Sequence, residues 1–207
     1  MAVWWVSEAI PIAATALLPL VLFPLTGASG VGAAAAPYAN PNVFLFLGGF
    51  IIAKCIERQN LHRRLALVTV SLVGTGPQRL VLGFMVATAL LSMWISNTAT
   101  TMMMLPIAVA VIDQLGTFSS VAEGSGGSRP RSGRSSFGTC LMLSIAYAAS
   151  IGGIATLIGT PPNIVFAGVV EETFGVSVGF GEWLAYGFPV SAAMLVLAWI
   201  YMTRLAY

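Results

Sequence analysis

The chain has 207 residues, of which 57% are hydrophobic and only 8% charged, and its mean hydropathy is +0.91. A soluble domain carries roughly a quarter charged residues, so the composition excludes an ordinary water-soluble fold; at roughly 20 apolar residues per helix, this length allows about four to six membrane crossings. A net charge of +2 is too small to point to nucleic acid, and Cys55, Cys140 and the single His62 form neither a disulfide framework nor a metal-ligand spacing.

The first residues, MAVWWVSEAIP, lack the basic start of a signal peptide, and Glu8 beside the paired tryptophans reads as a membrane-interface edge. No charge follows until Lys54, but the turn-rich stretch GASGVGAAAAPYANPN at 27–42 divides this region into apolar segments at about 3–25 and 43–56. A basic cluster comes next: Lys54, Arg58, His62, Arg63 and Arg64. The run LALVTVSLVG at 65–74 is too short to span alone and is expected to extend the preceding helix or lie along the interface, closed by Arg79. Residues 80–112 carry no charge; a solvated loop is expected over 113–137, rich in Gly and Ser and carrying Arg129, Arg131 and Arg134. A second uncharged stretch, 137–170, ends at Glu171 and Glu172, and a last span over 183–203 ends at Arg204.

Lys and Arg in short loops mark the cytoplasmic side. Basic residues lie at 54–64, at 79, at 129–134 and at 204, whereas 27–42 and 171–182 have none. On that rule the stretch 80–112 is flanked by basic residues at both ends, so it enters from the cytoplasmic side and returns to it. Its 33 residues suit two half-length helices rather than two full crossings, with the tip of the hairpin near Ser96. Such a re-entrant tip is tolerated only inside protein or beside a watery cavity.

That tip lies in WISNTATTMMMLPIA, residues 94–108, where Ser96, Asn97, Thr98, Thr100 and Thr101 gather inside an apolar run. The free N–H groups near 98–101 at the start of the second half-helix favour an anion. Hydroxyl, amide and carbonyl oxygens suit a small hard cation, with Ser92 one turn before Ser96 adding a hydroxyl on the same face. A second interruption, SIGGIATLIGTPPN at 150–163, points to a helix broken near Gly159–Asn163, making Thr160, Pro161 and Asn163 further candidates. Each feature has a plainer reading: Ser and Thr glue membrane helices together, and Gly and Pro kink them. Two discontinuous helices near the membrane midplane are, jointly, the pointer to a secondary-transport site.

The segments WWVSEAIPIAATALLPLVLFPL, NVFLFLGGFIIAKCIERQNLHRRLAL, LLSMWISNTATTMMMLPIA and IGGIATLIGTPPNIVFA are spread along the chain from residue 4 to 167, and together they resemble the divalent anion/sodium symporter family, the sodium-dependent dicarboxylate and citrate carriers. The resemblance implies an all-α polytopic membrane protein with a cytoplasmic re-entrant hairpin and a broken transmembrane helix, one of two inverted repeats. It implies that Ser92, Ser96, Asn97 and the backbone of Gly159 bind Na+, and that Asn97 and Thr98 contact a carboxylate of a succinate, malate or citrate type substrate. It further implies a homodimer working as an elevator, with residues 1–79 as scaffold and 80–207 as part of a transport domain that holds the hairpin 80–112, the broken helix 138–170 and the span 183–203. Only one Ser-Asn-Thr hairpin occurs, so the chain is expected to be the amino-terminal half of such a carrier. Two alternatives stand beside this: a carrier of another anion such as sulfate, or a non-transporting structural subunit. An enzyme is not expected, since no paired intramembrane carboxylates or base beside Ser96 are found.

Overall fold

The computed structural model describes residues 2–61, 64, 68–69, 76–122 and 132–206, and every regular element among them is helical. The chain divides into two compact units, 1–47 and 48–207.

In the first unit the apolar segment at 3–25 is not one helix. α1 (Ala2–Ser7) and α2 (Ile12–Leu25) are separated at Glu8, whose φ of 48° is left-handed, and at Pro11, which caps α2. The break has a local cause: proline lacks a backbone donor and disfavours helix at the residue before it. The small-residue stretch that follows is also more ordered than its turn-rich composition suggests, folding into α3 (Val31–Ala35) and a 3-10 turn (Ala36–Ala39). The Tyr38 hydroxyl donates to Ala16 O at 2.6 Å and ties this turn to α2.

α4 (Pro41–Arg58) carries the first basic residues, and Lys54 pairs with Glu57 at 2.8 Å on its exposed surface. His62, Arg63 and most of 65–74 lie outside the described residues. α5 (Pro77–Ser92) and α6 (Asn97–Ala122) follow, joined by Met93–Ser96. α6 continues past Asp113, and α7 (Ser132–Ile154) begins before residue 137, so both ends of the expected 113–137 loop are helical and 123–131 lie outside the described residues. A single charge does not stop a helix, and from Asp113 to Ala122 no proline intervenes.

α8 (Pro161–Phe174) ends at Gly175, whose φ of 67° closes an αL cap with its N–H on Glu171 O at 2.9 Å. α9 (Phe180–Ile200) passes into a π-helical segment, Tyr201–Ala206, so the last span starts and ends about three residues away from the 183–203 expected. Ser136–Ile154 and Phe180–Ala206 are long and apolar enough to cross a membrane, while Ile12–Leu25, Pro77–Ser92 and Asn97–Asp113 are shorter apolar helices. Two helices of this length and apolarity suit an integral membrane protein.

α7 is the centre of the second unit and packs on α5, α6 and α9. Its residues Leu141, Ile145 and Ala148 recur at helical spacing and are fully buried against Val81, Phe84 and Met85 of α5 and Met104 and Ala108 of α6. Of the three consecutive methionines, Met102 points outward and Met104 inward, as packing residues do. α9 differs: Ser191 is its one buried residue, and apart from Glu182 in its first turn its surface is largely apolar.

Candidate functional site: a helix turn against a helix break

α5 and α7 approach backbone to backbone. A Cβ on Gly152 would fall on the backbone of Ala89, with the Ala89 Cα 2.6 Å away, so only glycine fits there. Small residues at this crossing let polar groups of the two helices meet. Ser92, fully buried at the end of α5, donates to Ala149 O at 2.6 Å and lies 2.8 Å from Asn97 Oδ1. One hydroxyl proton therefore faces two acceptors. When it serves Ala149, the lone pairs of Ser92 Oγ and Asn97 Oδ1 face each other without a proton between them. That excess of acceptors would be relieved by a cation, or by a rotation of the amide that turns Asn97 Nδ2 toward Ser92 Oγ.

The helical relation expected between Ser92 and Ser96 is absent, because the turn at Met93–Ser96 interrupts the helix between them. Ser96 instead caps α6, its Oγ accepting from Ala99 N–H at 3.4 Å, while Thr100 N–H reaches Ser96 O at 2.9 Å. Among the described residues the N–H groups of Asn97 and Thr98 have no protein acceptor. Thr98 is exposed, Asn97 half-buried, and Thr101 bonds back to Asn97 O at 2.8 Å. Thr100 is buried with no hydrogen-bond partner for its hydroxyl among the described residues.

The break in the second uncharged stretch lies at 155–160, slightly earlier than Gly159–Asn163. Pro161 and Pro162 do not sit in it; they occupy the first turn of α8, where a missing N–H costs nothing. Thr160 before them is extended, φ −148° and ψ 141°, and its side chain makes no cap hydrogen bond. The start of α8 is therefore poorer in free backbone donors than the start of α6.

A helix end leaves its last carbonyls without intrahelical partners. Here all of them are engaged: Ile151 O by Ser191 Oγ at 2.8 Å, Gly152 O by Ala155 N–H at 3.0 Å, Gly153 O by Asn163 Nδ2 at 2.9 Å and Ile154 O by Trp183 Nε1 at 2.9 Å. Asn163 donates a second time, to Thr156 O at 2.8 Å, and since both partners are carbonyls its amide orientation is fixed. Thr156 in turn donates to Met93 O at 2.5 Å, joining the break to the turn between α5 and α6. Gly153 lies against Asn97, and Gly159 lies so close that a Cβ there would sit 2.5 Å from Gly153 O.

The sequence profile of the citrate transporter family matches residues 2–207. The chain belongs to the citrate transporter family. Members of this family are carriers rather than enzymes. The chain is 45% identical over 207 residues to the sodium-dependent dicarboxylate transporter of Staphylococcus saprophyticus and 42% identical over the same length to that of Staphylococcus aureus. Both alignments cover 100% of this chain and 39% of the relative, so the chain spans about two fifths of the length of these curated relatives.

Within this family member, Ser92, Asn97, Gly159 and Asn163 converge on the contact between turn and break, and Ser96 caps the helix beside them. Thr160 and Pro161 start α8, and Thr98 faces outward from α6. The side chains of Thr156, Trp183 and Ser191 and the carbonyls of Met93, Ala149, Ile151 and Ile154 belong to this network without having been singled out from sequence. The signal available for Thr156 was a hydroxyl within the Gly-rich run, and for Ser191 an isolated hydroxyl in an apolar span. For Ala149, whose part is played by its carbonyl, there was none.

Proposed function

We propose that this chain forms part of a sodium-coupled carrier of dicarboxylates or related anions. The surplus of acceptors at Ser92 and Asn97, held where a helix turn abuts a helix break, carries this reading. Ser92 Oγ, Asn97 Oδ1, Ser96 Oγ and the Gly159 carbonyl supply neutral oxygens for Na+, and the free N–H groups of α6 with the side chains of Asn97 and Thr98 take a substrate carboxylate. The relatives' printed names, sodium-dependent dicarboxylate transporters, support both the ion and the substrate class.

The same reading makes 80–112, within α5 and α6, a re-entrant hairpin opening to the cytoplasm, with the basic loops on that side and the chain one of two inverted halves. Residues 1–79 act as scaffold in a homodimer, and 80–207 move with the substrate as an elevator. Coupling follows from charge. No ionised side chain occurs in 80–112 or 137–170, so neither ligand is neutralised by the chain itself. Opposite unit charges about 4 Å apart attract by about 4 kcal/mol at an effective dielectric of about 20, enough for each ligand to depend on the other.

Asn97→Ala removes a cation oxygen and a carboxylate contact together. Sodium-driven succinate uptake into proteoliposomes by the protein carrying this sequence should fall at least 100-fold. Uptake retained at the wild-type half-saturating sodium concentration excludes the role.

A further inference from the structure

Two of the carbonyls that end α7 are satisfied by residues of the last span, far along the chain. Trp183 reaches Ile154 O and Ser191 reaches Ile151 O, at 2.9 and 2.8 Å. Between them sits Gly187, where a Cβ would stand 2.8 Å from Ile154 O, 3.0 Å from Ala155 O and 3.0 Å from Trp183 Nε1. The three residues are spaced i, i+4, i+8, which places them along one stripe of α9. Trp183 also packs edge-on against Phe166 of α8, ring centroids 6.0 Å apart and planes at 70°. One indole thus grips both pieces of the broken helix: its N–H holds the end of α7, and its ring holds α8. Ser191 is the one residue of α9 that is buried, although the span is apolar almost throughout.

We propose that Trp183, Gly187 and Ser191 form a positioning face that fixes the 155–160 segment and thereby sets the sodium affinity of the site. This rests on the assignment of the Gly159 carbonyl to Na+. The physical link is short. The segment starts one residue beyond the carbonyl that Trp183 holds, and it carries Thr156, which is bonded to the turn between α5 and α6, and Gly159 itself. Two donors and a glycine gap define where α7 ends; shifting α9 by a fraction of an ångström moves the cation's backbone ligand. None of the three is among the residues assigned to the ions or the substrate, so their effect falls on affinity through the position of the 155–160 segment.

The test combines Trp183→Phe with Ser191→Ala, and separately Gly187→Ala, in the purified and reconstituted protein carrying this sequence. Hydrogen exchange of the amides at 155–160 is followed beside sodium-driven succinate uptake. The double variant should exchange at least ten-fold faster over 155–160 and need at least five-fold more sodium for half-saturation, with maximal uptake within two-fold of wild type. Gly187→Ala should shift sodium half-saturation the same way, and Ser191→Thr, which keeps the hydroxyl, should stay at the wild-type value. A sodium half-saturation unchanged in the double variant overturns the proposal. If the wild-type protein shows no response to sodium, the functional reading has failed, and exchange alone then decides: faster exchange over 155–160 retains the positioning face, and unchanged exchange removes it.

Discussion

Gly153→Ala is expected, on the proposed sodium assignment, to lower sodium affinity at least about 100-fold while leaving most of the fold in place. A Cβ at this position overlaps Asn97 Oδ1 and stands 3.2 Å from both Asn97 Cγ and Asn97 Nδ2. The backbone of Gly153 cannot retreat easily, because its carbonyl is held by Asn163. The Asn97 side chain is the element that yields, and in yielding it loses Ser92. Overpacking a well-filled site costs typically 1–3 kcal/mol, and a displaced side-chain end lies at the low end of that range. The expected loss of sodium affinity is at least about 100-fold, ~2.8 kcal/mol. Gly152→Ala provides the contrast, since its methyl meets the backbone of Ala89 and no side chain there can rotate away. It should separate α5 from α7 and cost about 3 kcal/mol or more. Thermal unfolding and sodium titration of the two variants distinguish them: loss of sodium affinity with a near-native melting temperature for the first, and a large fall in melting temperature for the second. Equal sodium affinity in Gly153→Ala and wild type contradicts the placement of Asn97.

Asn163→Ala should be among the most destabilising single substitutions in the chain. One amide satisfies two buried carbonyls, Gly153 O and Thr156 O, and its removal leaves both without that donor. A buried polar group left unsatisfied costs about 1–3 kcal/mol, so the expected total is about 2–5 kcal/mol, reduced at Thr156 O by the remaining Gly159 N–H at 3.3 Å. Asn163→Asp keeps the shape but replaces two donors with acceptors. It also sets a carboxyl among carbonyls inside an uncharged stretch, where a charge costs several kcal/mol. The aspartate should therefore be no more stable than the alanine. Thermal melts of the purified variants check this, and Asn163→Asp within 1 kcal/mol of wild type would show that the amide is not the shared donor.

How much of this was legible in the sequence depends on the range over which each feature is determined. A turn between two helices falls at Met93–Ser96, inside the uncharged stretch and beside Ser96, and Thr160 is extended as the following prolines favour. The same prolines misled about the break, since Pro161 and Pro162 open a helix as readily as they end one, and only the chain before them shows which. Helices extend into both ends of the expected 113–137 loop because composition reports solvation, not helix length. Side-chain bonds to distant carbonyls leave no periodic trace. Ser92 to Ala149, Thr156 to Met93 and Ser191 to Ile151 join residues 57, 63 and 40 apart, and nothing local in the sequence pairs them. The division at 47/48 falls inside α4 at the pair Gly48 and Gly49, with no charge beside it, and a glycine pair within an apolar run does not by itself announce a boundary.

On the proposed reading the chain offers the two ligands oxygens and N–H groups but no fixed charge, so each ion must bring the other's counter-charge. The most direct measurement is the melting temperature of the purified protein carrying this sequence, titrated with succinate in sodium and again in potassium at equal ionic strength. The account predicts that sodium alone stabilises, that succinate adds further stabilisation only when sodium is present, and that Asn97→Ala shows neither effect. Equal stabilisation by succinate in sodium and in potassium would contradict it.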